Sequence, residues 1–546
     1  MAVSTHRILA AAATLVCGAA AGVSLTGSSA QAHDDLHWTA ISANSDVRGY
    51  AAPNALSPQL RESVVAQGAD KLENPVPDAQ YYGYSGDGPH VPDLAVPPGN
   101  VESTKTEPDK NTYLQLPGLK GADAAYHYGS HFVFQGHENG VTGYVTRINL
   151  DADPAHRVTL IASKLSDGTK APAIDGSTWD PWAHRLLFTA ENGNKGAVLQ
   201  GGTEPGGSLQ DISFALGRGG YEGIQNDSAG NLVIVEDSGG ASPTSSTAKD
   251  PNSFIYRFVP TDRTDLTKGG KLQALQASSA RTHQPITFKP VDNGASPPST
   301  GGIFTDDQKD LSNYGTTFDT TWVTVHDTAA DPSGQPFDAN ALAKAAGATP
   351  FKRPENGVFR PGVNFREFYF TVTGDTSATS PANPGFGGWG GVFKLEQPAA
   401  GAATGRLSLF YRGDAEHTGL DNISFIDRDH LAVVEDRGDT LHTQLATFDS
   451  AYVLDVQGHA GGSVQPVRFL AEGRDSAATL DNQLSGTPGW KNDGDNEITG
   501  IHLSDGDATI GGILGAKLPR PFEHGWRLFW TQQHGDNITY EINKNS

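Results

Sequence analysis

The hydrophobic positions fall in short runs rich in β-branched residues, each bounded by turn residues and acids. Leu232-Val233-Ile234-Val235 is one such run, and it ends at the acidic pair Glu236-Asp237. Glu222 stands 14 residues before Glu236, and at 419–455 Asp421 likewise stands 14 residues before Glu435. Runs of this length and composition are typical of strands. The recurrence indicates an internal repeat.

Six copies of the pattern can be assigned from residue 111 onward. They begin at Asp123, at Gly176 and Gly219, at Arg353, at Gly419 and at Asp495. Glu138, Glu191, Glu236 and Glu435 each follow an apolar run directly. Six strand-rich repeats predict an all-β fold, a six-bladed β-propeller in which each blade packs against its neighbours. A pair of β-sandwiches is the alternative, but it does not explain one motif repeated six times.

The remaining segments predict a three-part organisation: a signal peptide (1–32), an extended N-terminal arm (33–110) and the propeller (111–546). The arm is rich in Pro, Gly, Asp and Ser, which disfavour regular helices and central strands. Within it, 57–68 is a possible short helix. The Ala-rich segment 339–347 is the better helix candidate. It lies in the first of two predicted loop insertions, 262–350 and 471–494.

Charge and cysteine content narrow the function classes. The chain has 39 Lys and Arg against 62 Asp and Glu, a net charge of −23. This balance argues against binding to nucleic acids or anionic membranes. The apolar stretch from Ile8 to Val23, followed by Ala30-Gln31-Ala32, predicts an export signal and hence a secreted, extracellular protein. The sole cysteine, Cys17, lies inside that signal, so the mature chain has neither disulfides nor thiolate ligands.

Four acids occupy the entrance of a repeated strand: Glu222, Glu355, Asp421 and Glu497. If these strands are the innermost of their blades, the carboxylates converge on one axis and repel each other unless a cation joins them. Ligand sets made only of oxygen suit calcium or another hard ion. The alternative is that each acid accepts hydrogen bonds from the backbone of its own turn.

Several ordered motifs resemble the PhoX-type alkaline phosphatases and their exported relatives. They are FQGHENG around Glu138, STWDPW before Glu191, YEG with Glu222, RPE at 353–355, LDN at 420–422, NEITG with Glu497, and Gln533-His534. The resemblance runs from about residue 105 to the end of the sequence. It implies a propeller whose axis holds iron and calcium ions, mainly through glutamates, and which hydrolyses phosphate monoesters.

The resemblance also implies roles for individual residues. By position, Glu191, Glu222, Glu355 and Glu497 correspond to metal ligands, and Glu138 is a further candidate. Arg353 and Glu355 are the candidate catalytic residues, with Arg353 as a bidentate donor to phosphate. A salt bridge between Arg353 and its neighbouring acids is the alternative.

Two departures from the family pattern change the expected cofactor. Thr189-Ala190-Glu191 stands where the family has Cys-Glu-Glu, whose Cys binds iron, and the signal has one arginine (Arg7) instead of a twin-arginine pair. Both favour export before folding and the uptake of calcium outside the cell over an iron–thiolate centre.

The sequence therefore predicts a calcium-dependent phosphoester hydrolase that acts on a small phosphorylated substrate. Two alternatives stay open at this point. One is a non-catalytic, calcium-stabilised propeller that binds a ligand or a partner, and the other is a lactonase-type hydrolase, since the fold alone does not determine function.

Overall fold

The computed structural model describes residues 37–46, 53–85, 105–138, 143–292, 301–457, 465–473, 497–534 and 537–545. The predicted signal peptide, 1–32, lies outside these residues, as do 86–104 of the predicted arm and most of the predicted insertion at 471–494. Within the described residues, no helix has the length and apolar character needed to cross a membrane.

The secondary structure is mainly β. The strands, in chain order, are β1 (Ala55–Leu56), β2 (Leu60–Ala66), β3 (Lys71–Val76), β4 (Ala79–Tyr81), β5 (Thr112–Gln115), β6 (His131–Gly136), β7 (Val145–Asn149), β8 (Val158–Ala162), β9 (Ser177–Asp180), β10 (Arg185–Ala190), β11 (Ala197–Gly201), β12 (Gln210–Asp211), β13 (Tyr221–Asn226), β14 (Leu232–Glu236), β15 (Ile255–Pro260), β16 (Gly270–Ala277), β17 (Thr317–Asp327), β18 (Pro354–Phe359), β19 (Glu367–Val372), β20 (Gly391–Glu396), β21 (Thr404–Arg412), β22 (Leu420–Phe425), β23 (His430–Glu435), β24 (Ser450–Asp455), β25 (Val467–Ala471), β26 (Glu497–Ser504), β27 (Arg527–Gln533) and β28 (Ile538–Lys544). The α-helices are α1 (Ser213–Leu216), α2 (Asp306–Leu311), α3 (Ala339–Ala345) and α4 (Gly438–Leu445).

Most strands belong to antiparallel sheets of consecutive neighbours. Two sheets have the order β5-β6-β7-β8 and β9-β10-β11-β12, a third has β2-β28-β27-β26, and a fourth has β1-β25-β24-β23-β22. The largest sheet has nine strands, in the order β13-β14-β15-β16-β17-β21-β20-β19-β18. It contains two four-stranded units, β13–β16 and β18–β21, which are joined edge to edge through β17.

The first strands of these units contact each other in a closed ring. β5 contacts β9, β9 contacts β13, and the series continues through β18, β22 and β26 back to β5. Adjacent first strands approach closely at Gly223, where a Cβ would lie 2.7 Å from Asn356 Oδ1. The predicted all-β, propeller-like arrangement is therefore confirmed. The number of blades stays a prediction, because β17 merges two of the units into one sheet.

The core consists of separate apolar layers between neighbouring units. In β14, Val233 and Val235 belong to one buried cluster, whereas Leu232 and Ile234 belong to another. Successive side chains of a strand point to opposite faces of its sheet, so each face of β14 packs into a different layer. This explains why the strands have continuous apolar runs instead of alternating patterns.

Two predictions about the arm and the first insertion need correction. Residues 60–66 are not part of a helix: they form β2, which pairs with β28 from Leu60↔Lys544 to Ala66↔Thr539. The edge of β28 offers unpaired backbone groups, and the β-branched pair Val64-Val65 favours the strand. Nor is 262–350 only a loop insertion, because it contains β16 and β17.

The helix predicted at 339–347 is confirmed as α3.

Candidate metal and phosphate site

Acidic residues lie at the beginning of the first strand in each unit of the ring. Glu222, Glu355, Asp421 and Glu497 are within the first two residues of their strands, and Asp109 and Asp175 precede β5 and β9 by a few residues. Three of these strands have a shift in pairing register at or beside the acid: between Tyr221 and Ile224, between Pro354 and Gly357, and between Leu420 and Ile423. Such bulges redirect side chains and are common next to active sites.

A second set of polar residues follows the second strands. Each second strand is antiparallel to the first, so it ends at the edge where the first begins. The residues at this position are Glu138, Glu191, Asp237, Asp436 and His534. The two sets therefore meet at one end of the ring.

Seven of these acids form three overlapping groups in which one oxygen per residue lies within 4.8 Å of the others. The groups are Asp109–Glu138–Asp175, Asp175–Glu191–Glu222 and Glu222–Glu355–Asp421. We refer to these seven residues as the acid cluster. It contains the sequence-predicted residues Glu138, Glu191, Glu222, Glu355 and Asp421 and also two that the sequence did not single out, Asp109 and Asp175.

Glu497 lies outside the three groups and contacts a histidine. Its Oε2 is 3.3 Å from His534 Nε2, and His534 Nδ1 is 3.4 Å from Glu107 Oε1. Burial lowers the pKa of His534, but its hydrogen bonds to Glu107 and Glu497 outweigh this effect and raise the pKa well above its ordinary value. Protonated His534 thus provides a positive charge between two carboxylates.

Burial raises the pKa values throughout the acid cluster, and repulsion between the carboxylates adds to the shift of every member except Asp109. Burial, followed by the neighbouring charges of Asp175 and Glu355, raises the pKa of Glu222 well above the ordinary value. Burial raises the pKa of Glu191 to about 8, with Asp237 adding to the shift, and burial together with Asp109 raises that of Asp421 to about 8. The cluster therefore needs added positive charge in order to ionise fully near neutral pH.

The donor set fits a cation that prefers oxygen. Asp175 Oδ1 and Asp237 Oδ1 are buried and have no hydrogen-bond partner within the described residues, which leaves both oxygens available for a cation. An iron–thiolate centre does not fit, because the sole cysteine is Cys17. Thr189, at the position where the resemblance implies an iron-binding cysteine, donates a hydrogen bond from its hydroxyl to the carbonyl oxygen of Glu222.

Arg353 lies beside the cluster and forms the salt bridge considered above as the alternative to a phosphate contact. Its Nε donates to Asp237 Oδ2 at 2.7 Å, and Nη2 is 3.7 Å from Glu355 Oε1. Burial lowers the pKa of Arg353, but Asp237 and Glu355 outweigh this effect and raise it above the ordinary value, so the guanidinium stays charged. Its side chain is 21% exposed. The salt bridge to Asp237 uses Nε, and within the described residues neither Nη atom donates a hydrogen bond to protein.

Asp237 and Glu236 have different roles although they are adjacent. Glu236 is buried inside its unit, where it accepts hydrogen bonds from Tyr256 Oη, Phe254 N and Asn340 Nδ2. Glu435 has an equivalent role, with bonds from Thr418 N and Arg437. Because neighbouring side chains of a strand alternate in direction, the residue after each of these glutamates is the one that approaches the cluster.

Lys110 is a buried cation next to the cluster that the sequence did not reveal. Its Nζ donates to Asn422 Oδ1 at 3.0 Å, and Asn422 Nδ2 donates to Asp421 Oδ2 at 2.8 Å. Burial lowers the pKa of Lys110, whereas the charges of Asp421 and Asp109 oppose the shift. Lys110 therefore orients the amide that holds Asp421 and offsets part of the negative charge.

Replacing Lys110 by Met is expected to lower the free energy of unfolding of the metal-free protein by about 2 kcal/mol at neutral pH, because the Asn422 amide loses a buried charged donor. Urea denaturation in the presence of a chelator measures this. Lys120→Met, at a more exposed position, is the matched control. Equal stability of Lys110→Met and the unmodified chain would contradict this role.

Comparison with known proteins identifies the family. The model of the family described as alkaline phosphatase PhoX matches residues 228–513, more than half of the chain. No curated protein has a matching sequence.

Solved structures show a similar fold. The chain is similar to Pseudomonas fluorescens PhoX in complex with vanadate, described as a transition-state analogue, with a TM-score of 0.52 and 13% identity over 93% of this chain and 98% of that one. Weaker similarities are to Kuenenia stuttgartiensis hydrazine synthase (TM-score 0.31, 10% identity, 80% and 96% covered) and to Pseudomonas aeruginosa periplasmic gluconolactonase PpgL (TM-score 0.29, 15% identity, 76% and 98% covered). These two are too distant to support an argument. From the family match over residues 228–513, the chain belongs to the PhoX alkaline phosphatase family.

Proposed function

We propose that this chain is an exported phosphomonoesterase that requires calcium and acts on small phosphorylated substrates. The observation that carries the proposal is the acid cluster: seven carboxylates in overlapping groups, beside a charged arginine, in a chain of this family. The export signal predicted at 1–32 and a net charge of −23 support a secreted protein. We also propose that the ring comprises six blades, with β17 linking the third to the fourth.

In this proposal the carboxylates of Glu138, Glu191, Glu222, Glu355, Asp421 and Glu497 hold the metal, with Asp109 and Asp175 as additional ligands. Bound calcium would polarise a phosphoryl oxygen and activate water. Oxygen-only donors and an extracellular location favour calcium over iron.

Arg353 and Glu355 are the proposed catalytic residues. Asp237 fixes the guanidinium through Nε, so the Nη atoms are left to donate hydrogen bonds to two phosphoryl oxygens. Glu355 Oε1 accepts a hydrogen bond from Thr373 Oγ1 at 2.7 Å, which fixes the carboxylate next to Arg353. In the overall hydrolysis, a water oxygen bonds to phosphorus, the ester P–O bond breaks, and the leaving oxygen gains a proton.

Two measurements on the purified protein test this proposal together. Elemental analysis is expected to find calcium and no stoichiometric iron. Hydrolysis of an aryl phosphate is expected to disappear after exhaustive chelation and to return when calcium is added. Activity that survives chelation would overturn the calcium requirement.

A non-catalytic, calcium-stabilised binding protein is the second candidate, and Thr189 is the observation that favours it. This residue stands where the resemblance implies the family's iron-binding cysteine, and its hydroxyl donates a hydrogen bond to the carbonyl oxygen of Glu222. A protein that is saturated with calcium, fully folded and inert toward phosphate esters would support this candidate over the enzyme.

A further inference from the structure

A cleft of about 530 Å³ lies against two members of the acid cluster, Glu138 and Glu191. These two are only half-buried, whereas the other five members of the cluster are buried. The cleft is therefore a place where the cluster meets solvent. A volume of this size accommodates a small organic molecule and exceeds what a phosphoryl group alone requires.

The cleft has three cationic side chains, although the chain as a whole is strongly acidic. They are Lys170, Lys195 and Arg218, and Asp211 is the remaining charged residue of the lining besides the two cluster acids. Arg218 Nη2 lies 2.7 Å from Asp211 Oδ2, and Lys170 Nζ lies 3.2 Å from Asp78 Oδ1. In each of these two pairs the carboxylate largely neutralises the charge of the cation.

Lys195 differs from the other two cations. Within the described residues it has no carboxylate partner at ion-pair distance, and its side chain is exposed. Arg218 Nη1 donates to the carbonyl oxygens of Lys195 and Gly196, which anchors the turn that presents Lys195. Lys195 follows Glu191 by four residues, so its ammonium belongs to the same short segment as a cluster acid.

We infer that this cleft receives the leaving group of the phosphoester, and that Lys195 selects leaving groups with a second anionic group, a carboxylate or another phosphate. The inference rests on the proposed function, since it places the scissile phosphate at the acid cluster. An ammonium attracts an anion at the rim of the site, while the surrounding acids repel the same anion elsewhere. Lys195 is thus a residue that determines specificity, and substrates with neutral leaving groups gain nothing from it.

Binding of phosphonate analogues to the calcium-loaded protein tests the inference without requiring turnover. In these analogues a methylene group replaces the ester oxygen. The carboxylate arm compares the analogue of glycerol phosphate with that of 3-phosphoglycerate. The phosphate arm compares analogues of adenosine 5′-phosphate and adenosine 3′,5′-bisphosphate. Calorimetry is expected to show that the more anionic member of at least one pair binds about five-fold more tightly, and the arm that shows this identifies the anionic group.

The Lys195→Gln variant is expected to abolish that preference while leaving the affinity for the less anionic analogue unchanged. Lys544→Gln, at the exposed end of β28, is the matched control and is expected to retain the preference. Equal affinities within both pairs for the unmodified protein, or a preference that persists in Lys195→Gln, would overturn the inference. Absence of hydrolysis with an intact preference would instead contradict only the proposed phosphatase activity.

Discussion

Replacing Glu222 with Gln is expected to weaken both calcium binding and phosphate-ester hydrolysis by at least about tenfold, or ~1.4 kcal/mol. Glu222 belongs to two of the three overlapping groups, so it links Asp175 and Glu191 to Glu355 and Asp421. Glutamine keeps the size of the side chain but replaces one ligand oxygen with an amide nitrogen that cannot bind a cation. Calorimetric calcium titration and an aryl-phosphate assay measure the two effects.

Glu396→Gln is the matched control for this substitution. Glu396 is exposed at the end of β20 and lies outside the acid cluster, so its replacement is expected to change neither calcium affinity nor activity. A Glu222→Gln protein that binds calcium as tightly as the unmodified chain would show that the cluster is not the calcium site. If only hydrolysis were lost, the role of Glu222 would lie in the reaction and not in holding the metal.

Removal of calcium is expected to destabilise the protein much more at alkaline than at acidic pH. The pKa values of Glu191 and Asp421 rise from ordinary values near 4 to about 8 in the folded, metal-free chain. In the metal-free chain, the free energy of unfolding is therefore highest, as far as these two groups are concerned, below about pH 4, where they are protonated in both states. It falls as the pH rises to about 8, because the carboxyls lose their protons more readily in the unfolded chain than in the folded one. In the proposed site calcium binds the ionised carboxylates, so its stabilising effect is expected to increase across the same pH range.

Urea denaturation at about pH 5.5 and about pH 8.5, with a chelator or with saturating calcium, measures this linkage. The calcium concentration is set to one hundred times the dissociation constant at the higher pH. It is expected to add about 2.7 kcal/mol to the free energy of unfolding at that pH, and clearly less at the lower pH, where calcium binds more weakly. Magnesium at the same concentration is the control, since it demands a smaller octahedral site. An equal calcium effect at both pH values would contradict proton–metal competition in the cluster.

The repeat pattern predicted much of the site because it reflects real strand geometry. Glu222 and Asp421 share one position in equivalent hairpins, and both lie in the cluster. The spacing of 14 residues also relates Asp175 to Thr189, but Thr189 stands where the other two hairpins have Glu, so the pattern concealed Asp175. The pairing of β9 with β10 continues to Asp175, whose N donates a hydrogen bond to the carbonyl oxygen of Thr189, and this register reveals Asp175 as the equivalent of Glu222.

Asp109 was less accessible to sequence reasoning. The repeat pattern begins its first copy at Asp123, which lies in an exposed turn before β6. The true first strand, β5, is separated from β6 by a long connection, and Asp109 N pairs with the carbonyl of Gly136 far along the chain. Lys110 and Asp237 were missed for a related reason, since contacts such as Lys110–Asn422 join residues about 300 positions apart. No local pattern encodes such contacts.

The pairing of β2 with β28 has a consequence for how the protein reaches this state. Leu60 pairs with Lys544, and β26 packs against β5, so the ring closes through contacts between the two ends of the described chain. Contacts of such high sequence separation form late and slow the folding. During folding, the apolar face of the sheet β5–β8 that packs against Phe529 lacks this partner until residues 497–544 join the ring. The acidic end of the ring is therefore complete only in the last stage of folding, when Glu497 joins acids such as Asp109 that lie far earlier in the chain.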